Sequence, residues 1–100
     1  MKILFKKVGQ QPELLEIEPN LKVYQNLVGG LIECLDIEKN ISIVFDEEGK
    51  LKGKEVNIAI SNGSWMDLIV GDIFFIGFDR NEGEFVSLTD DQIKYIMAIF

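Results

Sequence analysis

The stretch Asp67–Phe78, DLIVGDIFFIGF, decides the fold of this chain because it is almost wholly apolar apart from Asp72. Its central part, Ile73–Ile76, shows no alternation of polar and apolar residues. A continuous apolar run of this length is typical of a strand that is buried on both faces. We therefore expect Ile73–Ile76 to lie in the middle of a β-sheet.

Shorter strands are predicted on the N-terminal side of this run, where brief apolar segments alternate with turn residues. They span residues 2–8, 13–18, 31–37 and 41–46. The first two are joined by a Gly-Gln-Gln-Pro turn, so they should form a hairpin. In that hairpin Lys6 would pair with Glu16 or Glu18 across the strands.

Two helices complete the predicted fold, one near residues 20–28 and one near residues 90–100. Asn20 is the expected N-cap of the first helix, and Gly29-Gly30 should end it. Thr89 and Gln92 have the spacing of a capping box at the start of the second helix. The pattern predicts a single α+β domain over residues 1–100, with two helices packed on an antiparallel or mixed sheet of about five strands.

The composition disfavours catalysis, because the 100 residues include no histidine and only one cysteine. The serines have no histidine base, and the carboxylates show no paired spacing, so we predict no catalytic residues and no enzyme activity. Cys34 is expected to be a small buried apolar side chain. Asp46-Glu47-Glu48-Gly49 lacks the alternating ligands of a calcium loop, so we expect neither a metal site nor a cofactor.

The charge is strongly acidic, with ten Lys and Arg residues against seventeen Asp and Glu residues and a net charge of -7. Such a chain repels nucleic acid, but it suits a basic protein surface. No apolar run reaches the ~20 residues of a membrane helix, and the N-terminus is unlike a signal peptide, so a cytoplasmic protein without membrane partners is expected. Because a domain of this size buries only roughly 60–70% of the surface that its unfolded chain exposes, dimerisation would stabilise it, and a homo-oligomer is also expected.

The segment 47–64, EEGKLKGKEVNIAISNGS, is the longest stretch without a dominant period, so it is predicted to be a functional loop. Its lysines would hold a phosphate and its asparagines a base or ribose edge, while the single tryptophan would stack on a flat ligand. The predicted ligand-binding residues are Lys50, Lys52, Asn57, Asn62 and Trp65. The alternative is structural: a solvated lysine-rich turn, with Trp65 capping the core.

Three segments lie in order along the chain: VGGLIE at residues 28–33, EEGKLKG at residues 47–53 and SLTDDQI at residues 87–93. Together they resemble a family associated with phages and Firmicutes, the domain of unknown function 3846. The resemblance implies a setting in phages and mobile elements, and so a bacterial host cell, rather than a known activity. Small acidic proteins in that setting often disarm host defence, by mimicking nucleic acid or by sequestering nucleotide signals.

Three functions are compatible with these observations. The leading hypothesis is a noncatalytic phage or mobile-element protein, with a counter-defence role, that binds and sequesters a small nucleotide-like signal. The first alternative is an acidic inhibitor of a host protein, or nucleic-acid mimic, that uses its charge or its terminal helix, where Tyr95 and Ile99 lie off the main apolar face. The second alternative is an accessory dimerisation domain.

Overall fold

A computed structural model describes residues 1–61 and 63–100 of the chain. It contains eight strands and two α-helices, with a short 3-10 turn at Glu38–Asn40. In chain order these are β1 (Lys2–Lys6), β2 (Glu13–Glu16), α1 (Leu21–Val28), β3 (Ile32–Ile37), β4 (Ile41–Asp46), β5 (Val56–Ser61), β6 (Met66–Val70), β7 (Ile73–Asp79), β8 (Glu84–Val86) and α2 (Asp90–Ile99). The predicted α+β class is confirmed.

Strand β7 lies in the middle of a six-stranded antiparallel sheet with the order β2-β1-β7-β4-β3. Strand β8 pairs with the last residues of β7, beyond the end of β1, so that Phe78 faces Phe85. Ile73–Ile76 has no exposed surface, as its lack of alternation predicted. The sheet is fully antiparallel and has one strand more than expected.

The side chains of β7 alternate between two hydrophobic cores, one on each face of the sheet. Phe74 and Ile76 pack on the face that α1 covers, where Tyr24 lies 5.6 Å from Phe74 between ring centroids. Ile73 and Phe75 pack on the opposite face, against residues of β5, β6 and α2. The two helices therefore lie on opposite sides of the sheet.

Strands β5 and β6 form a separate two-stranded antiparallel sheet that packs beside α2. The apolar run Asp67–Phe78 thus supplies two strands, because Gly71 turns the chain between them at φ 77°. The segment 47–64 is only partly a loop, since β5 occupies Val56–Ser61. Apolar Ile58 and Ile69 of this hairpin are buried, and this burial favours a strand over an open loop.

Both helices have the capping residues that the sequence predicts. The Asn20 side chain accepts a hydrogen bond from the Val23 N–H at 3.0 Å, and Gly29 ends α1 at φ 79°. Thr89 and Gln92 form the complete capping box of α2. The longest helix has ten residues, and no described helix is long and apolar enough to cross a membrane.

The expectation that Cys34 is buried is wrong, because its side chain is exposed. β3 is the last strand of the sheet, so its side chains are covered on fewer sides than those of β4. Partial desolvation, followed by the charges of Asp36 and Glu33, raises the pKa of the Cys34 thiol. A thiol in these surroundings is a weak nucleophile at neutral pH.

We predict that Phe74→Ala lowers the free energy of unfolding by about 3–5 kcal/mol, because it opens a cavity in the α1-side core. Urea denaturation followed by far-UV circular dichroism measures the change. Val86→Ala, at a side chain with 36% exposure on β8, is the control and should cost less than about 1 kcal/mol. Equal losses for both variants would contradict a central, doubly buried β7.

Candidate functional site

The lysine-rich segment after β4 is organised around the carboxylate of Asp46, whose side chain has no exposed surface. Lys52 Nζ and Lys54 Nζ each lie 2.8 Å from Asp46 Oδ2. The Glu48 N–H donates to the other oxygen, Oδ1, at 2.9 Å. Asp46 therefore fixes the start of the loop and both lysines in one arrangement.

The same two lysines cap the C-terminal end of α1. Lys54 Nζ donates to the Val28 carbonyl at 2.8 Å, and Lys52 Nζ donates to the Gly29 carbonyl at 3.2 Å. The last turn of α1 has no basic residue of its own, so these distant lysines meet the negative end of the helix dipole. Gly30 permits this approach, because a Cβ there would lie 2.7 Å from Lys52 Nζ.

The ionisation of Asp46 follows from these contacts. Burial alone would raise the pKa of Asp46, but hydrogen bonds from Lys52, Lys54 and the Glu48 N–H outweigh burial and lower the pKa from 3.8 to about 2. The carboxylate is thus charged at neutral pH and neutralises much of the positive charge on the two lysines. Lys52, a predicted phosphate ligand, is held in the fold by this arrangement.

Asn57, the next predicted ligand residue, is also engaged inside the protein. Its Oδ1 accepts a hydrogen bond from Lys6 Nζ at 2.5 Å, and its Nδ2 donates to the carbonyls of Lys6 and Gly71 at 2.9 and 2.8 Å. Lys6 is only 7% exposed, and burial lowers the pKa of its ammonium group. The predicted pairing of Lys6 with Glu16 or Glu18 is wrong, because the hairpin register places Lys2 opposite Glu16.

The remaining predicted residues lie at three different places. Lys50 is exposed and pairs with Asp67 of β6, with Nζ 2.6 Å from Oδ1. Its hydrogen bond lowers the pKa of Asp67. Asn62 lies outside the described residues. Trp65 is 44% exposed and lines a groove that contains none of the predicted lysines or Asn57.

This groove, which we call the tryptophan groove, has a volume of about 550 Å³ and lies between α2 and the β5–β6 hairpin, beside the end of β3. Its volume falls within the range of ~300–1,000 Å³ that is typical of small-molecule sites. Aromatic and aliphatic side chains such as Trp65, Tyr95 and Ile99 form much of its wall, and its charged lining residues are Arg80, Asp36 and Glu38. The groove thus combines flat apolar surfaces with a few polar groups.

Arg80 supplies a positive charge to the tryptophan groove. Its Nε donates to Asn40 Oδ1 at 3.0 Å, which is a neutral acceptor. No carboxylate forms an ion pair with Arg80 among residues 1–61 and 63–100. An arginine held in this way retains charge and N–H donors for an anion.

The turn between β3 and β4 carries Asn40 and is held by α2. Lys39 and Asn40 both have positive φ, 62° and 57°, which is an unfavourable conformation for residues other than glycine. Gln92 Nε2 donates to the Lys39 carbonyl at 2.8 Å, and the Tyr95 hydroxyl donates to Glu38 Oε2 at 2.6 Å. These contacts hold the turn in place. The side chain of Asn40 in this turn accepts the hydrogen bond that orients Arg80.

Sequence reasoning missed Arg80 as a groove residue, because it lies in a turn and no local pattern marks it. The off-face position of Tyr95 on the terminal helix was a usable signal, since that side chain does line the groove. In the described ranges 1–61 and 63–100 no group of three or more His, Cys, Asp or Glu side chains is placed to hold a metal ion.

We predict that Asn57→Ala lowers the free energy of unfolding by about 2–4 kcal/mol, because it leaves the buried Lys6 ammonium and two carbonyls without their partner. Chemical denaturation measures the loss. Asn81→Ala, at an exposed turn position, is the matched control and should change stability by less than about 0.5 kcal/mol. Wild-type stability of Asn57→Ala would contradict the structural role of this amide.

Asp46→Asn should also destabilise the fold, by about 2–3 kcal/mol at neutral pH, in a pH-dependent way. A carboxyl with a lowered folded-state pKa contributes stability above its unfolded value of 3.8, and that contribution is lost as the pH falls towards about 2. The difference between wild type and Asp46→Asn, measured by urea titrations from neutral pH to pH ~2, should therefore shrink in acid.

The control for this titration is Asp67→Asn, which breaks the exposed pair with Lys50 and should cost less than about 1 kcal/mol at every pH. A loss at Asp46→Asn that stays constant down to the acid end would show that the Asp46 charge contributes nothing.

Comparison with known proteins places the chain without assigning it an activity. No curated protein and no solved structure shows significant similarity to it. One family model, described as "Domain of unknown function (DUF3846)", matches residues 1–100, which is the full length given. The resemblance seen in the sequence is thereby confirmed, and the chain belongs to the DUF3846 family.

Proposed function

We propose that this protein is a noncatalytic binding protein that sequesters a small nucleotide-like ligand in the tryptophan groove. The observation that carries the proposal is the presence, in one groove, of half-exposed Trp65 and of Arg80, which forms no ion pair with a described carboxylate. A nucleotide needs both a flat surface for its base and a cation for its phosphate. The groove offers these two groups together.

The polar contacts around Tyr95 support the same ligand chemistry. Lys39 Nζ lies 5.2 Å from the centre of the Tyr95 ring, which adds a second cation close to the groove. The Tyr95 hydroxyl is committed to Glu38, and this bond raises the pKa of the tyrosine. The Tyr95 side chain is thus neutral and fixed in orientation in the wall of the groove. The carboxylate of Glu38 already accepts the hydrogen bond from this hydroxyl.

The segment between β4 and β5, residues 47–55, which we call the lysine loop, supports the proposal less well than the groove does. Lys52 and Lys54 are bound to Asp46 and to the end of α1, and Asn57 has its donors and acceptor engaged. A phosphate at the loop would have to displace these internal contacts. We therefore assign the ligand to Trp65 and Arg80, and we assign Lys50, Lys52 and Asn57 to the fold.

The phage or mobile-element setting, with a role against host defence, is proposed from the family resemblance. In that setting, cyclic nucleotides and ADP-ribose-type nucleotides are the compounds to test first. Sequestration requires no chemistry on the ligand, so the chain's lack of histidine is compatible with it.

A second candidate function, inhibition of a host protein, is favoured by the apolar side chains that α2 exposes. Met97 is 45% exposed and Ile99 is 54% exposed. Exposed apolar groups that share one surface often mark a protein-binding site, and Ile99 and Trp65 share the wall of the tryptophan groove. The net charge of -7 would favour a basic partner.

The nucleotide proposal is tested by titrating the protein with cyclic and ADP-ribose-type nucleotides. Trp65 is the only tryptophan, so its fluorescence reports on the groove alone, and calorimetry gives the affinity. We expect binding at micromolar concentration, weakened about tenfold or more by Arg80→Ala and by Trp65→Ala, because each removes a contact worth roughly 1–3 kcal/mol.

Two variants control for the loss of positive charge. Lys22→Ala removes an exposed lysine from α1, on the opposite face of the sheet, and Lys50→Ala tests the lysine loop. Both should bind as wild type does. Loss of binding with Lys50→Ala but not with Arg80→Ala would move the ligand to the loop, and an absence of heat with every nucleotide would refute the proposal.

A further inference from the structure

The outer edge of β3 is unpaired and has a cavity on each face of the sheet beside it. In the described part of the chain β3 pairs with β4 alone, so half of its backbone N–H and C=O groups point away from the sheet. Such an edge can accept a further strand, in which main-chain hydrogen bonds provide affinity and side-chain cavities provide specificity.

The first cavity lies on the α1 face and has a volume of about 430 Å³. Its wall includes Cys34, Asp36, Phe78 and Phe85, so it offers an apolar floor with one carboxylate at its side. The second cavity lies on the hairpin face and measures about 220 Å³, with Glu33 in its lining. Glu47 and the ion pair of Lys50 with Asp67 also line it, whereas the carboxylate of Asp46 is buried and bound to Lys52 and Lys54.

The side chains of β3 alternate between these two cavities. Glu33 and Leu35 lie on the hairpin face with Phe45 and Ile43, whereas Cys34 and Asp36 lie on the α1 face with Val44 and Ser42. A strand added beside β3 would alternate in the same way. Its residues opposite Glu33 and Asp36 would therefore meet one carboxylate on each face.

Charge determines which strand fits this edge. Two copies paired antiparallel about Cys34 would place Glu33 opposite Leu35 and Asp36 opposite Ile32, so neither carboxylate would meet a cation. The net charge of -7 on each copy also opposes the association of two copies. The same carboxylates attract a strand that carries Lys or Arg at both facing positions.

We propose that the edge of β3 binds an extended, basic segment of a partner protein by strand addition. The recognised pattern is a basic residue, two apolar residues and a second basic residue, because Glu33 and Asp36 are three positions apart with Cys34 and Leu35 between them. Asp36 also lines the tryptophan groove, but the strand edge includes neither Trp65 nor Arg80, and the proposal does not depend on nucleotide binding.

Carboxylates on an edge strand also prevent aggregation, and the experiment must separate that role from recognition. The probe is a fluorescein-labelled peptide, Thr-Lys-Ile-Ile-Lys-Thr, whose sequence reads alike in either strand direction. Fluorescence anisotropy should show saturable binding below about 1 mM. The Glu-containing analogue, Thr-Glu-Ile-Ile-Glu-Thr, should not bind.

Two further measurements test the site and the binding mode. Cys34 is the only cysteine and is exposed, so the bound peptide should slow its reaction with a thiol reagent. N-methylation of alternate peptide amides should abolish binding for the set that faces β3 and leave it for the other set. Ionic attachment without strand addition would make the two sets behave alike.

The paired variants Glu33→Gln and Asp36→Asn, made together, remove both charges and keep an acceptor for the Ser42 hydroxyl, which donates to Asp36. They should weaken binding about fivefold to tenfold, as expected for two exposed ion pairs. The control, Glu13→Gln with Glu18→Gln, removes the same charge beside the opposite edge and should bind as wild type does.

The proposal is overturned if the lysine peptide does not bind, if it binds without protecting Cys34, if both N-methylated sets bind equally, or if the control pair weakens binding as much as the β3 pair.

Discussion

The complete burial of Ile73–Ile76 is the constraint on which the rest of the structure depends. A strand without exposed surface on either face requires cover on both, and α1 covers one face while α2 and the β5–β6 hairpin share the other. A groove lies between α2 and this hairpin. Trp65, Tyr95 and Arg80 line that groove.

Polar interactions fix the segment between β4 and β5. Asp46 binds Lys52 and Lys54, and these lysines in turn satisfy the last carbonyls of α1. In the described ranges, every buried side-chain nitrogen or oxygen has a hydrogen-bond partner. Two of the segments that resemble the DUF3846 family, residues 28–33 and 47–53, are in contact here. In this chain these segments therefore stabilise the fold.

The sequence predicts the elements of this fold well but predicts its polar contacts poorly. Local signals place the helices and the buried strand near their observed positions. These signals are the spacing of apolar residues, the capping residues and the glycines that end a helix. Whether Lys52 faces solvent or Asp46 depends on which distant segments meet, which no local pattern encodes. The same holds for Asn57, which joins β1 to the turn before β7, and for Arg80, whose role requires the turn at Asn40.

The central claim is that the lysine loop maintains the structure while the tryptophan groove binds the ligand. Amide chemical-shift mapping by NMR, with the nucleotide panel added, tests both parts at once. The account predicts shifts at the Trp65 indole N–H and at the amides near Arg80 and Tyr95, with the amides of residues 50–54 unmoved. Shifts confined to residues 50–54, or none at any position, would contradict it.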